Sequence, residues 1–142
     1  MIIRLCKEDA LNIASLCDAN FSDGWTYDML CSGFDGGRLC ALAKIENGQI
    51  VAVILFSVGI DDADIEIVLT DKNFRRKGYA KTLILEAERE IKKHGISRIL
   101  LEVREGNESA INLYKDCGYQ KISVRKKYYK DGENALVMCK EI

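Results

Sequence analysis

The sequence predicts an α/β domain on a mixed sheet flanked by helices, in the order β-α-α-β-β-β-α-β-α-β-β. Three observations carry that expectation. Ala80, Leu83, Ile84, Ala87 and Ile91 recur at helical spacing. Two β-type runs, residues 38–45 and 50–59, are joined by Glu46-Asn47-Gly48-Gln49, and Asn-Gly between apolar runs is a strong hairpin signal. A third apolar run, residues 65–70, enters the helix through the basic turn Arg75-Arg76-Lys77-Gly78-Tyr79-Ala80.

The remaining elements follow in chain order. Residues 2–5 read as a short strand. From Glu8 to about Asn20, Leu11, Ala14, Cys17 and Phe21 share one helical face, with Ala10 and Ile13 beside them. An Asp23-Gly24 turn precedes Trp25-Thr26. Thr26 suits the cap of a second short helix through Met29, Leu30 and Phe34, which Asp35-Gly36-Gly37 ends. Asp61-Asp62-Ala63 turns the chain into the 65–70 strand, and the long helix after the basic turn stops near Gly95. Residues 98–104 form the next strand, with Ile99, Leu101 and Val103 on one face and Leu100 and Glu102 on the other. Glu105-Gly106-Asn107 breaks it. A helix from Glu108 sets Ala110, Leu113, Tyr114 and Cys117 on one face and ends at Gly118. Residues 122–129 and 135–140 read as a second hairpin around Lys130-Asp131-Gly132.

Composition narrows the function. The 142 residues suit one domain, residues 1–142, with a real core. No apolar run approaches the roughly 20 residues of a membrane span, and Met1-Ile2-Ile3-Arg4-Leu5 is too short and strand-like for a signal peptide, so a cytoplasmic location is expected. The six cysteines are irregularly spaced without a CxxC, and most fall where a small apolar residue fits, which suggests reduced core thiols. His94, the only histidine, sits at a Lys92-Lys93-His94-Gly95 helix end, so no metal site and no Ser-His or Cys-His nucleophile is expected. Residues 1–70 carry 4 basic and 11 acidic side chains, whereas residues 71–142 carry 17 and 11. The second half therefore suits an anionic ligand and the first a cationic one, unless both are solvated faces that mingle on folding. The basic residues lack an aromatic stacking pattern and the net charge is −1, so neither a nucleic-acid nor a membrane partner is expected.

Strand, basic glycine turn, helix: that order gathers free backbone N–H groups and a helix N-terminus at one point, which suits a phosphate. A solvated helix start is the alternative. The array Arg75-x-x-Gly78-x-Ala80 resembles the acetyl-coenzyme A fingerprint of the GNAT N-acetyltransferases, and the element order is similar to theirs over essentially the whole chain. Within that superfamily, Leu101-Glu102-Val103-Arg104 through Asn107 to Tyr114, Gly118-Tyr119, and the run from Arg125 through Tyr128-Tyr129-Lys130-Asp131-Gly132 to Met138 resemble the RimI-type ribosomal-protein-alanine N-acetyltransferases. Trp25-Thr26 sits where that type has Trp-Ser.

The resemblance implies a GNAT acyltransferase fold and acetyl transfer from acetyl-CoA to a protein N-terminal amine, the alanine of a small-subunit ribosomal protein, by direct attack without an acyl-cysteine. It implies that pyrophosphate lies on the amides of Arg76, Lys77, Gly78, Tyr79, Ala80 and Lys81, and that pantetheine pairs with the backbone of Val68, Leu69 and Thr70. A bulge in that strand would supply the free edge. It also implies that Asn107 meets the pantetheine amides, that Glu102 accepts the amine proton and that Tyr114 protonates the departing thiolate. Each residue has a plainer reading as well: Asn107 as a helix N-cap, Glu102 as a solvent-facing strand residue paired with a lysine, Tyr114 as core. Glu66 is the rival base. Trp25 and residues 125–129 would flank the acceptor mouth, and Asp61, Asp62, Asp64 and Glu66 would attract a basic tail. The sequence departs from the subgroup at Ile67-Val68-Leu69-Thr70, where Asn-Ile-Ala-Val is usual, and at Gly24 and Lys72, where proline is usual. Leu69 would narrow the acceptor slot. Acetylation of lysine side chains or of a small amine, and a non-catalytic acetyl-CoA sensor, remain alternatives.

Overall fold

The computed structural model describes residues 1–20 and 24–142. Phe21, expected on the first helix face, and Asp23, expected in a turn, lie outside the described residues. The strands are β1 (Ile2–Leu5), β2 (Leu39–Glu46), β3 (Gln49–Val58), β4 (Ala63–Thr70), β5 (Arg98–Arg104), β6 (Gln120–Arg125) and β7 (Ala135–Glu141). The helices are α1 (Ala10–Asn20), α2 (Tyr27–Asp35), α3 (Tyr79–Lys93) and α4 (Glu108–Asp116), with single 3-10 turns at Lys7–Asp9 and Lys72–Phe74. The described strands form a sheet of order β1-β2-β3-β4-β5-β7-β6, antiparallel except for the parallel β4–β5 pair. That is the expected mixed sheet and element order.

Local chemistry explains most boundaries. Asn47 and Gly48 both take positive φ (50° and 76°), the conformation a two-residue hairpin with matching twist needs. Thr26 Oγ1 accepts the Met29 N–H at 3.2 Å and so caps α2. Leu83, Ile84 and Ile91 of α3 are fully buried, at about 2 kcal/mol of gross stabilisation each. One core lies beneath α3 and α4 and includes Ile54, Phe56, Leu83, Ile84 and Tyr114; the other lies beneath α1 and α2 and includes Ile13, Leu30, Val53 and Leu55.

Three expectations need correction. Leu11 is 65% exposed, not on the core face. The buried arc of α1 is Ala10, Ile13, Ala14, Leu16 and Cys17, and at 3.6 residues per turn Leu11 points about 130° from its centre. The strand expected at 122–129 runs instead over Gln120–Arg125, and residues 126–134 form a connection outside the sheet. The chain leaves the sheet where Lys127 turns to φ 52° and donates its N–H to Asn134 Oδ1 (3.0 Å). The six cysteines are free as expected, but only Cys17 and Cys117 are buried, and Cys6 is exposed.

β4 positions the site. The β3–β4 register shifts between Leu55↔Ile67 and Phe56↔Ile65, so Glu66 is an extra, bulged residue. The bulge reverses the alternation: Ile65 faces the α3 core, whereas Ile67 and Leu69 face the α1 and α2 core. Pairing with β5 covers only Ala63–Ile65 against Ile99–Leu101. Beyond that point the parallel strands splay.

Candidate active site

The splay opens a cleft of about 480 Å³. Asp64, Ile65, Glu66, Ile67 and Val68 form one wall; Leu101, Glu102, Val103 and Arg104 form the facing wall. Asn107 at the cap of α4, Ala110 and Tyr114 of α4, and Trp25, Met29, Tyr128 and Tyr129 complete the lining. Glu102, Asn107, Tyr114, Val68 and the rival Glu66, widely spaced in the chain, thus meet in one cavity. Trp25 and the Tyr128-Tyr129 pair also meet there, at the mouth expected to receive the acceptor.

Glu102 projects from β5 on the face opposite Leu101 and Val103, as strand alternation requires. Its Oε2 is sealed from solvent with no hydrogen-bond partner and lies 3.3 Å from Arg125 Nε, in an ion pair. A buried carboxylate oxygen with spare acceptor capacity can take a proton or an N–H from a ligand. Glu66 stands on the opposite wall. Desolvation first, then Asp64 and Glu102, raise its pKa, while a hydrogen bond with Ser57 opposes them. Asp64 is raised as well, by desolvation and then by Asp62. Of the four acidic residues expected to draw a cationic tail, only Asp64 and Glu66 line the cleft. Asp62 is held bidentately by Arg98, at 2.8 and 2.9 Å.

Tyr114 is 7% exposed and its ring meets Tyr119 edge-on at 6.0 Å. Burial pushes its phenol well above the usual tyrosine value, with Tyr129 and Cys117 adding to the shift, so it stays protonated at any physiological pH. The core reading holds, and the same side chain lines the cleft. The cap reading of Asn107 holds as well. Its Oδ1 accepts the Ala110 N–H (3.1 Å) and caps α4, which leaves the Nδ2 as the donor available to a ligand.

The basic turn lies beyond the cleft; residues 76–81, Leu69 and Thr70 do not line it. Phe74 N donates to Asp71 O, and at the start of the helix Thr82 N donates to Gly78 O (3.1 Å). The N–H groups of Tyr79, Ala80 and Lys81 open the helix and so have no partner in its own hydrogen-bond ladder. Gly78 takes φ 76° and caps α3, and Arg76 also takes φ 67°. A Cβ on Gly78 would meet nothing within 4 Å, so the glycine is required by the backbone conformation and not by crowding from the protein. Consecutive unpaired amides in such a turn, at the N-terminus of a 15-residue helix, form a concavity for phosphate oxygens. The unpaired edge of β4 past Ile65 offers a strand-like arm a row of backbone groups. These two features fit a coenzyme A molecule. Arg75 itself turns back, its Nε donating to Thr70 O at 3.3 Å. Leu69 is 6% exposed and packs beneath α1 and α2, so it does not narrow the acceptor slot; the bulge has turned it away.

One group was missed from the sequence. Arg104 Nη1 lies 2.8 Å from both Asp131 Oδ2 and Glu133 Oε1, and its guanidinium stands 4.1 Å over the Tyr129 ring. These residues are up to 29 positions apart and share no motif spacing. Both ends lie in stretches that carry the family resemblance, but nothing in their spacing pairs Arg104 with Asp131 and Glu133.

The family model described as acetyltransferase (GNAT) family matches residues 8–119. The [ribosomal protein bS18]-alanine N-acetyltransferase of Haemophilus ducreyi is 30% identical over 143 residues, 98% of each chain. That of Escherichia coli K12 is 31% identical over 107 residues, 73% of this chain and 72% of the relative. The crystal structure of the ribosomal-protein-S18-alanine N-acetyltransferase from Escherichia coli superposes with a TM-score of 0.91 at 27% identity, over 100% of this chain and 93% of that one.

Proposed function

Since the chain belongs to the GNAT acetyltransferase family, and is thereby an acetyl-CoA-dependent N-acetyltransferase, we propose that it acetylates the N-terminal alanine of ribosomal protein bS18. The observation that carries this reading is the cleft between the splayed β4 and β5. It sets a sealed carboxylate oxygen (Glu102), a protonated phenol (Tyr114) and an unpaired strand edge around one space. The relatives support the choice of acceptor, being named for that reaction.

The amides of residues 76–81 hold the pyrophosphate; the β4 backbone from Val68 to Thr70 and the Asn107 Nδ2 hold the pantetheine arm. Acetyl-CoA supplies the thioester carbonyl and the sulfur leaving group. Trp25, Tyr128 and Tyr129 guide the peptide end toward Glu102. An N-terminal ammonium has a pKa near ~8, so most of it is protonated at neutral pH and cannot attack. Glu102 Oε2 takes that proton, and the freed amine attacks the thioester directly. Edge amides of β4 stabilise the charge that develops on the carbonyl oxygen. As the tetrahedral intermediate collapses and its C–S bond breaks, Tyr114 gives its proton to the departing sulfur. The excess proton still on the new amide nitrogen returns to the Tyr114 oxygen, directly or through water, so that the proton on Glu102 is the one released. Positioning two substrates in one cleft supplies much of the rate.

The test uses purified protein, acetyl-CoA and a peptide beginning with Ala. Turnover should vanish when the α-amine is formylated beforehand. Equal turnover of the blocked peptide would refute the reading.

A further inference from the structure

The geometry points to Arg104 as a positioning residue for the acceptor: by clamping residues 126–134 it fixes where Tyr128 and Tyr129 stand at the cleft mouth. This rests on the acceptor reading given above. Arg104 follows Glu102 by two residues on β5, so one rigid strand carries both the proposed base and the clamp.

The clamp is built from both ends. Arg104 reaches Asp131 and Glu133 at 2.8 Å each, and its planar face covers the Tyr129 ring. A guanidinium offers a fork and a stacking face together, which a lysine does not. The second Glu133 oxygen accepts the Gly106 N–H at 2.9 Å, and a Cβ on Gly106 would come within 2.7 Å of that oxygen. The segment closes on itself through Tyr129 N to Glu133 O (3.2 Å), Gly132 N to Tyr129 O (2.9 Å) and Glu133 N to Asp131 Oδ1 (3.0 Å). Asn134 ties it back to the β5 end, its carbonyl accepting from Glu105 N at 3.0 Å. Tyr128 then meets Tyr129 edge-on at 5.1 Å with its ring 5.5 Å from Arg125, the residue paired with Glu102. The clamp contacts join β5 and Gly106 to residues 125–134, whereas the turn amides proposed to hold the pyrophosphate belong to another part of the fold. Loss of the clamp should therefore weaken the hold on the acceptor while leaving the hold on coenzyme A alone.

The experiment compares wild type with Arg104→Gln, Arg104→Lys and Gly106→Ala. It reads amide hydrogen exchange across residues 126–134, peptide KM and kcat, and acetyl-CoA affinity by calorimetry. Arg104→Gln should speed exchange at Tyr129 and Gly132 by about tenfold or more. It should raise peptide KM about fivefold, with kcat and acetyl-CoA Kd changed by less than about threefold. Arg104→Lys should fall between, keeping charge without the stacking face. Gly106→Ala, which displaces Glu133 and leaves the arginine intact, should reproduce the same pattern; should Arg104→Gln fail to fold, these two variants decide. Unchanged exchange, or a fall in kcat at constant peptide KM, would overturn the proposal. If wild type itself ignores an Ala peptide, the acceptor reading fails instead, and the exchange measurement still decides the clamp.

Discussion

Replacing Glu102 by Gln keeps the shape of the side chain and removes only its ability to take a proton. Two effects compete. The ion pair with Arg125 is lost, but Arg125's side chain is 60% exposed, so solvent screens the arginine end and the loss is about 1 kcal/mol, roughly fivefold in binding. Loss of a general base costs far more, about 10²- to 10⁴-fold in turnover. The base effect should dominate: kcat at pH 7 falls by about 10²-fold or more, while peptide KM moves no more than about fivefold. The pH dependence separates proton transfer from mere packing. An amine of pKa ~8 is about one-tenth neutral at pH 7 and nine-tenths neutral at pH 9, so the variant's deficit should shrink by up to about tenfold over that interval. Steady-state rates of release of the coenzyme A thiol across pH 6.5–9 measure it. A loss below about threefold at pH 7, or a large deficit that stays flat to pH 9, would refute the assignment.

Tyr114→Phe should lower kcat by about 10²-fold through loss of the proton donor, yet shift stability by no more than about 1 kcal/mol, because the ring and its contact with Tyr119 remain; kinetics beside thermal unfolding check both. Gly78→Ala should cost about 1–2 kcal/mol from its φ of 76° alone and weaken acetyl-CoA binding, read by denaturant unfolding and calorimetry. Asp64 and Glu66 have raised folded-state pKa values, so their ionisation opposes folding above those values, and protonation at low pH removes the penalty. Asp64→Asn combined with Glu66→Gln should therefore raise Tm at pH 7, with the gain fading as pH falls and gone by about pH 3, where both folded and unfolded carboxyls of the wild type are protonated.

Fold and site were legible to different depths, for physical reasons. Local signals were read correctly where the cause is local: Asn47-Gly48 for the hairpin, Thr26 for the α2 cap, Ala80 to Ile91 for the α3 face. Leu11 misled because a weakly amphipathic helix leaves the centre of its buried arc to tertiary packing. The end of β6 misled because the chain leaves the sheet at Lys127, with φ 52° and its N–H bonded to Asn134, a contact seven residues on that alternation does not reveal. The meeting of Glu102, Asn107 and Tyr114 was implied by a family pattern, but the device that makes room for it was only outlined. Glu66 as the bulged residue needed the β3 register, and that one extra residue also explains why Leu69 turns into the core.

The most direct test of the central claim is a competition within one molecule: a peptide with a free N-terminal Ala and an internal Lys, incubated with acetyl-CoA and the protein, the product sequenced by tandem mass spectrometry. The acetyl group should sit on the α-amine of Ala, with the Lys side chain unmodified. Acetyl on the Lys side chain, with the Ala amine still free, would contradict it.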